Sequence, residues 1–373
     1  GHHVDVVAPA LAPSPAQPLS HSANVPHGGP SNAHEPPRVT RLTYARPASL
    51  QRTFHRAGAP ENLRADRLAW LGALTYPLAL GRYLLQHANA FDVLVSHWAV
   101  PSAYVATLLP ERSRPRHVVV THGADIHLLE HVPGGARLAR RIAHHCSAIT
   151  FVSATHRARF EALVGHSLPH ASVLAMGVDL APSALDRQQA RATLGLEGPV
   201  LFTLGRLVPI KGLDVLVEAL RGVPDVTLVV AGAGPSREEL ERLAQHHGVR
   251  VRFVGVVLGS EKATWLRAAD AFVLPSRRLA SGREEGTPTA MLEAMLAGLP
   301  VIASDTGGVA EALCDGERGV LVPPDDPAAL RAAVVALLAN PAAARARARS
   351  AKQAAEAQTW SALGPRLDAL VRG

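Results

Sequence analysis

The sequence is poor in cysteine, in lysine and in aromatic residues. Its 373 residues include only two cysteines, Cys146 and Cys314, so no disulfide framework is available and the cytoplasm is the expected compartment. Aromatic residues make up 4% of the chain and do not interleave with a basic stripe, so we predict no nucleic-acid partner. Lys and Arg total 38 against 31 Asp and Glu, and the resulting net charge of +7 permits an anionic ligand or membrane surface without requiring either.

Long apolar runs are also scarce. The longest, 68–85, is barely long enough to cross a bilayer and contains Pro77 and Arg82, so we predict a buried or interfacial helix. Arginines such as Arg64 and Arg67 precede this run, which leaves peripheral contact with the inner face of a membrane open.

The chain length and the alternation of elements predict two α/β domains. A length of 373 residues corresponds to about two average domains. Short apolar strands alternate with amphipathic helices in both halves, which requires parallel sheets covered by helices on both faces. We place the domains at 1–182 and 183–358, because the polar stretch near 182–198 precedes a new strand.

The predicted strands show where a ligand-binding site is expected. A buried strand is expected at 4–8, and the Pro-, Ser- and Gly-rich segment 9–37 is predicted to be a long loop. In doubly wound folds, ligands bind at the carboxyl ends of the strands. The other strands are expected at 38–44, 91–97, 117–121, 148–152, 200–204, 226–231, 251–254, 271–274, 301–304 and 319–322.

The most specific segment is 285–293, which follows a predicted strand and opens a helix. Glu285 and Glu293 stand eight positions apart, a little over two helical turns, so the two carboxylates lie on roughly the same side. The start of a helix presents unpaired N–H groups and a positive dipole end, which favour phosphate. Taken alone, Glu285 is also consistent with a capping carboxylate, and Glu293 with a buried carboxylate bound to neighbouring backbone.

Two further strand ends carry cations and glycines. Strand 200–204 is followed by Gly205, Arg206 and Lys211, where glycine permits close backbone approach and the cations can bind a diphosphate. Strand 301–304 is followed by a double glycine that can lie flat against a ligand. Solvated surface cations and a plain tight turn are the alternative interpretations. Together, these features suit a nucleotide diphosphate joined to a polyhydroxylated group, because cations bind phosphates and carboxylates accept from sugar hydroxyls.

Several segments resemble those of the retaining glycosyltransferases of family 4, the group 1 glycosyl transferases with the GT-B fold. The matching segments follow the family's order: 205–212, 229–235, 251–255, 269–276, 285–300 and 305–308. Segment 175–179 is similar to the family's segment before the domain linker, and 122–125 to its acceptor-side histidine segment. The tail 359–373 resembles the last helix, which packs back on the first domain. The implied fold is two doubly wound, Rossmann-like domains that face each other across a cleft.

The resemblance implies a role for each matching residue. Arg206 and Lys211 would neutralise the donor diphosphate, and Glu293 would hold the ribose. Glu285 would contact the transferred sugar, and His122 would lie near its reacting carbon. The implied catalytic residues are therefore His122, Arg206, Lys211 and Glu285. The other implied donor-binding residues are Gly205, Gly255, Val256, Gly286, Thr287, Pro288 and Thr289.

The implied function is transfer of a sugar, with retention, from a nucleotide diphosphate sugar to a hydroxyl of a glycan, lipid or small molecule. No cofactor and no metal ion are expected, since the family needs none. In the implied mechanism the anomeric C–O bond weakens first, and the leaving phosphate oxygen takes the proton of the acceptor on the same face. Two other functions stay open: a nucleotide-sugar epimerase of the same fold, and a nucleotide-sugar-binding protein without activity.

The chain departs from the family at its start and in one loop. Family members begin with a strand, a Gly-rich loop and a helix, whereas segment 1–4 here resembles the end of that first helix and the second strand. We therefore expect that the first strand of the N-terminal domain is missing through truncation, or is replaced by segment 9–37 or another chain. Segment 276–284 is longer and more basic than a minimal turn, and is expected to gate the donor site, to contact an acidic acceptor or to be a solvated loop.

Overall fold

The computed structural model describes residues 2–10, 37–54 and 59–373. Most of the predicted loop 9–37 lies outside the described residues. The chain divides into two compact units, the first formed by 1–92 with 104–115 and the second by 93–103 with 116–373. The domain boundaries expected at 182 and 358 stay predictions.

The first unit contains a two-stranded parallel sheet of β1 (Asp5–Pro9) and β2 (Arg38–Leu42). The strand expected at 4–8 is present, but the prediction that it is buried is wrong, because Val4 and Val6 are 51% and 39% exposed. Within the described parts of this unit, β1 pairs with β2 alone, and this sheet does not bury both of its faces as a central parallel sheet would. The α-helices that the structure describes in this unit are α1 (Ala59–Ala65), α2 (Ala69–His87) and α3 (Tyr104–Ala106).

The helix predicted at 68–85 is confirmed as α2, and it has one buried and one exposed face. Tyr76, Leu80 and Leu84 are buried at intervals of four residues, the spacing of one helix face. The opposite face exposes large apolar side chains, among them Leu74 and Leu78, which are 69% and 74% exposed. The amphipathic pattern therefore positions α2 at the surface of the unit.

The second unit contains two parallel sheets, of which the smaller has four strands. Its order is β3 (Val93–His97), β4 (Arg116–Val120), β5 (Ala148–Phe151) and β6 (Ala171–Val173). The four residues of β5 are all buried, as expected for an inner strand of a parallel sheet. The helices that follow β4 and β5 are α4 (Ala124–His131), α5 (Gly135–His145) and α6 (Ala154–Val164).

The larger sheet has six parallel strands. In chain order they are β7 (Val200–Leu204), β8 (Thr227–Ala231), β9 (Val251–Gly255), β10 (Ala271–Leu274), β11 (Val301–Ser304) and β12 (Val320–Val322). In the sheet they follow the order β12-β11-β10-β7-β8-β9. The strands predicted in this half are confirmed to within a residue or two at each end.

Side chains of the larger sheet alternate between two hydrophobic cores. Phe202, Val229 and Phe272 belong to one core, and their neighbours Leu201 and Leu228 belong to the other. Because successive strand residues point to opposite faces, both faces of this sheet are covered, which is the doubly wound arrangement. The covering helices are α7 (Arg187–Leu194), α8 (Leu213–Ala219), α9 (Arg237–His247), α10 (Gly259–Ala268), α11 (Thr289–Leu296), α12 (Val309–Ala312), α13 (Pro327–Ala339) and α14 (Pro341–Glu356).

The last helix, α15 (Trp360–Arg372), contacts the four-stranded sheet. The Arg116 guanidinium at the start of β4 donates to the carbonyl of Leu370 at 3.2 and 3.3 Å. The Arg366 side chain donates to the carbonyl of Val173 in β6 at 3.2 Å. These bonds fix the middle and the C-terminal part of α15 to the ends of strands that lie far earlier in the chain.

Across the described residues, no individual helix has both the length and the apolar character to span a bilayer. One pair of helices, α13 and α14, meets those criteria jointly but is bent by 102° at the break between them.

Candidate active site

A mostly buried ion pair joins segments that follow two strands of the larger sheet. Lys211, in a short helical turn after β7, places Nζ 2.6 Å from Oε1 of Glu285, which precedes α11. The other carboxylate oxygen of Glu285 accepts from the Ser276 hydroxyl at 2.5 Å, just after β10. The Lys211 and Glu285 side chains are only 13% and 14% exposed, so solvent weakens their attraction little. The structure therefore brings together two residues that the sequence predicted for the donor site.

A narrow pocket lies beside Lys211 at the carboxyl end of β7 and, in this structure, has no room for a water molecule. The exposed residue Arg206 and Lys211 both line it, together with Gly205 and Leu274. A Cβ on Gly205 would lie 3.1 Å from Cε of Lys211, so a larger residue there would displace the lysine stem. The absence of a side chain at Gly205 thus leaves room for the stem of Lys211.

Glu293 lies in a second ion pair. Its Oε1 is 2.7 Å from Nζ of Lys262 on α10, and the two side chains are 15% and 16% exposed. Lys262 was not recognised from the sequence, although it is one of only three lysines in the chain. The two predicted carboxylates, Glu285 and Glu293, therefore each have a lysine partner of their own.

The loop that carries Glu285 is fixed against both sheets of the unit. Thr287 donates from Oγ1 to the carbonyl of Val152 at 3.1 Å, at the end of β5. A Cβ on Gly286 would lie 3.6 Å from the carbonyl oxygen of His122. Gly307 has φ of 55°, and a Cβ there would overlap the carbonyl oxygen of Glu285. The double glycine after β11 therefore packs against the backbone of the Glu285 loop.

The remaining predicted donor residues lie at the start of α11 and at the end of β9. Pro288 is the N-cap of α11 and Thr289 is its exposed first residue. Gly255 ends β9 with φ of 74° and accepts at its carbonyl from the N–H of Gly232 at 2.6 Å. Val256 follows and is 63% exposed. These residues stand at carboxyl ends of strands or at a helix start, as predicted.

His122 follows β4 and contacts a second histidine that was not singled out from the sequence. Its Nε2 lies 3.0 Å from Nδ1 of His97 at the end of β3. Partial desolvation lowers the pKa of both imidazoles, and the neighbouring His122 lowers that of His97 further. The backbone N–H of His122 donates to the buried carboxylate of Asp125 at 3.0 Å. The sequence feature that could have identified His97 is its position at the end of β3, the strand next to the one that precedes His122.

The arginines of segment 276–284 have carboxylate partners or lie buried. Arg277 contacts Asp214 and Asp325, each at 2.8 Å, and Arg278 contacts Glu284 at 3.1 Å. Arg283 is buried. The segment forms no helix or strand and exposes Arg278 and 280–282, as the interpretation of a solvated loop expects, while Arg277 and Arg283 are held in its interior. A role in gating the donor site or contacting an acceptor stays a prediction.

A group of possible metal ligands was not recognised from the sequence. His127, Glu130 and His131 on α4 bring ligand atoms within 4.8 Å of one another. Both oxygens of Glu130, however, accept hydrogen bonds from Arg159 on α6. The carboxylate is therefore already engaged by a cation, and the absence of a metal requirement stays a prediction.

Three comparisons place the chain among known proteins. The family described as glycosyl transferases group 1 matches residues 198–340. A GDP-mannose-dependent alpha-(1-6)-phosphatidylinositol monomannoside mannosyltransferase of Mycolicibacterium smegmatis is 36% identical over 289 residues, which cover 74% of this chain and 75% of that protein. Sucrose-phosphate synthase from Thermosynechococcus elongatus is similar in structure, with a TM-score of 0.75 at 23% identity over 99% of this chain and 88% of that one. HepE of Anabaena, solved with UDP-glucose, has a TM-score of 0.69 at 22% identity over 89% of this chain and 85% of that one.

These similarities confirm the predicted family and the GT-B fold. The relatives are nucleotide-sugar-dependent glycosyltransferases, which supports sugar transfer and not an epimerase or a binding protein without activity. The chain belongs to the group 1 glycosyl transferases and is a glycosyltransferase that uses a nucleotide-sugar donor.

Proposed function

We propose that this enzyme transfers mannose from GDP-mannose, with retention and without a metal ion, to a hydroxyl of a phosphatidylinositol-type glycolipid. Four curated relatives support this donor and acceptor, because they are GDP-mannose-dependent mannosyltransferases of phosphatidylinositol monomannosides. The observation that carries the chemistry is the Lys211–Glu285 ion pair of 2.6 Å, whose lysine lines one pocket together with Arg206.

The cations at the end of β7 would stabilise the leaving group. Lys211 and Arg206 both line the pocket, and a diphosphate there would receive charged hydrogen bonds from each. As the anomeric C–O bond breaks, negative charge grows on the diphosphate, and fixed positive charges then stabilise the transition state more than the ground state. The two side chains would thereby supply the positive charge for which other transferases use a metal ion.

The carboxylates would bind the sugar hydroxyls of the donor. Glu285 is held next to Lys211, so it would accept from hydroxyls of the transferred sugar close to the diphosphate. Glu293, held by Lys262, would accept from the ribose hydroxyls. The exposed end of β9 around Val256 would offer backbone groups to the base.

Retention would follow without a nucleophile from the protein. Glu285 is a poor nucleophile here, because one carboxylate oxygen contacts Lys211 and the other accepts from Ser276. Instead, the acceptor oxygen would attack from the face that the diphosphate leaves. The leaving phosphate oxygen would take the acceptor's proton, so that one C–O bond breaks, one forms, and no protein group is consumed.

The exposed face of α2 would bind the membrane that holds the lipid acceptor. Large apolar side chains are exposed on this helix or directly before it: Leu68, Trp70, Leu71, Leu74, Leu78 and Leu85. Arg67 and Arg82 are exposed on the same segment. An apolar helix face with flanking arginines suits the surface of an anionic bilayer, where each basic residue adds about 1 kcal/mol of attraction.

The donor and acceptor are tested by incubating the protein with GDP-mannose, GDP-glucose, UDP-glucose or UDP-N-acetylglucosamine. Phosphatidylinositol mannosides in mixed micelles serve as acceptors, and each reaction is run with EDTA and with Mg²⁺. We expect transfer from GDP-mannose, an α-linked product by NMR, and the same rate in EDTA. Transfer only from a uracil nucleotide would refute the donor, a β-linked product would refute retention, and loss of activity in EDTA would refute metal independence.

The membrane surface is tested by sedimentation with anionic vesicles. The paired substitution Leu74→Glu and Leu78→Glu is expected to abolish binding, whereas Val335→Glu, at an exposed apolar residue of α13, leaves it unchanged. Equal binding by both variants would show that α2 is not the surface that contacts lipid.

A further inference from the structure

The carboxyl ends of β3 and β4 carry two histidines in direct contact. Nδ1 of His97 lies 3.0 Å from Nε2 of His122, and the ring centroids are 5.2 Å apart. A neutral imidazole has one nitrogen that donates and one that accepts. A hydrogen bond between the rings therefore requires that one donates and the other accepts, and it couples their tautomers.

The backbone around this pair is rigidly held. Asp125 is completely buried, and its carboxylate accepts from the N–H of Ala99 at 2.7 Å and from the N–H of His122 at 3.0 Å. One side chain thus connects the segments that follow β3 and β4. A buried carboxylate with several N–H donors fixes those segments firmly, because any rearrangement would leave a desolvated acceptor without partners.

Trp98, next to His97, adds a second constraint. Its ring stacks on His122 with centroids 5.9 Å apart and an interplanar angle of 29°. Its backbone has φ of 77°, the left-handed region that costs a residue other than glycine about 1–3 kcal/mol. Such strain persists only where the surroundings hold it, and it concentrates at functional sites. His122 is therefore contacted by an imidazole and by an indole from the same strand end.

We propose that His97 is a positioning residue for sugar transfer, which holds the ring of His122 in place and couples the tautomer of that ring to its own. This inference rests on the proposed role of His122 beside the transferred sugar. His97 acts through His122 and makes no contact with the reacting atoms in this assignment. Its contribution appears in kcat, because the orientation of His122 matters most when the transition state forms.

The test compares three substitutions at His97 in the full chain. His97→Ala removes the hydrogen bond and is expected to lower kcat about 3- to 10-fold, the loss typical of one hydrogen bond, with the KM for donor changed less than about 2-fold. His97→Asn places an amide near the position of Nδ1 and restores most of kcat. His97→Gln places the amide near the position of Nε2 and does not. His166→Ala, at an exposed histidine on another loop, is the matched control with wild-type kcat.

The outcomes separate this inference from the proposed function. If His122→Ala leaves kcat unchanged, the role proposed for His122 is wrong, and this inference fails with it. If His122→Ala lowers kcat but His97→Ala does not, only this inference is wrong. The double variant is expected to be no slower than His122→Ala alone, since His97 acts through that ring. The inference is overturned if the losses in kcat of His97→Ala and His122→Ala multiply in the double variant. It is also overturned if His97→Ala and His97→Asn lower kcat equally.

A measurement on the wild-type protein covers the case in which the variants do not fold. Nitrogen chemical shifts of ¹⁵N-histidine distinguish the two neutral tautomers of each ring. We expect one donating and one accepting nitrogen at the contact between His97 and His122. If Nδ1 of His97 and Nε2 of His122 both carry a proton, or if neither does, the hydrogen bond cannot form and the inference is wrong.

Discussion

Replacing Lys211 by alanine tests the catalytic assignment most directly. A charged hydrogen bond contributes about 1.5–3 kcal/mol, and its loss in the transition state would lower kcat/KM about 13- to 160-fold. The same change leaves Glu285 mostly buried with Ser276 as its remaining partner in the ion-pair cluster. Breaking a buried ion pair costs about 3–5 kcal/mol, and the 13–14% exposure of these side chains places the loss of stability near the lower end.

The assay must separate lost catalysis from lost stability. Release of nucleoside diphosphate gives kcat/KM for the donor, and thermal unfolding gives stability. Lys352→Ala, at an exposed lysine of α14, is the matched control for both measurements. The double variant Lys211→Ala with Glu285→Gln is expected to recover part of the stability, because no charge is left unpaired, and none of the activity.

Two results would refute this reasoning. A folded Lys211→Ala protein with kcat/KM within about 3-fold of wild type would show that the lysine does not bind the leaving diphosphate. Recovery of activity in the double variant would show that Lys211→Ala lowered activity only because it left the Glu285 carboxylate without its lysine partner. In either case the pocket at the end of β7 would not be where the diphosphate leaves.

Three further predictions concern other parts of the second unit. Gly307→Ala should have an unfolding temperature well below that of Gly195→Ala. Both glycines have positive φ, but of these two only Gly307 has backbone where a Cβ would lie. Equal decreases in the unfolding temperatures of the two variants would contradict this. Burial raises the pKa of the Cys146 thiol to about 12, so iodoacetamide at pH 8 should label Cys314 and leave Cys146 unmodified, as peptide mass spectrometry would detect. Desolvation lowers the pKa of His122, so its NMR signal should titrate below pH 6.5, and the neutral form should be present above that pH. Titration above pH 6.5 would show that the pKa is raised and not lowered.

The sequence predicted the larger sheet well because its signals are local. Each strand is a short apolar run next to an amphipathic helix, and the glycine- and charge-bearing segments follow the strands directly. The side-chain alternation between two cores then follows from strand geometry alone. By contrast, the exposure of Val4 and Val6 accompanies a strand that, among the residues described, pairs with β2 alone, and no local pattern in the sequence specifies how many strands pair.

The partners of the predicted site residues could not be read from the sequence. Lys211 and Glu285 were predicted to share a ligand, but not to contact each other across 74 positions. Lys262 on α10 reaches Glu293 on α11 only because the two helices pack on the same side of the sheet. His97 meets His122 because β3 and β4 are neighbours. Each of these contacts depends on strand order, and residue type and spacing do not specify that order.

The Lys211–Glu285 pair also bears on how the spent nucleotide leaves. A diphosphate that takes hydrogen bonds from Lys211 weakens the lysine's contact with Glu285, and the mostly buried carboxylate then needs another donor. The hydroxyls of an attached sugar can serve as that donor, whereas a nucleotide that has lost its sugar offers none there. On the roles proposed above, the pair would therefore discriminate in favour of the intact donor and would limit inhibition by the product.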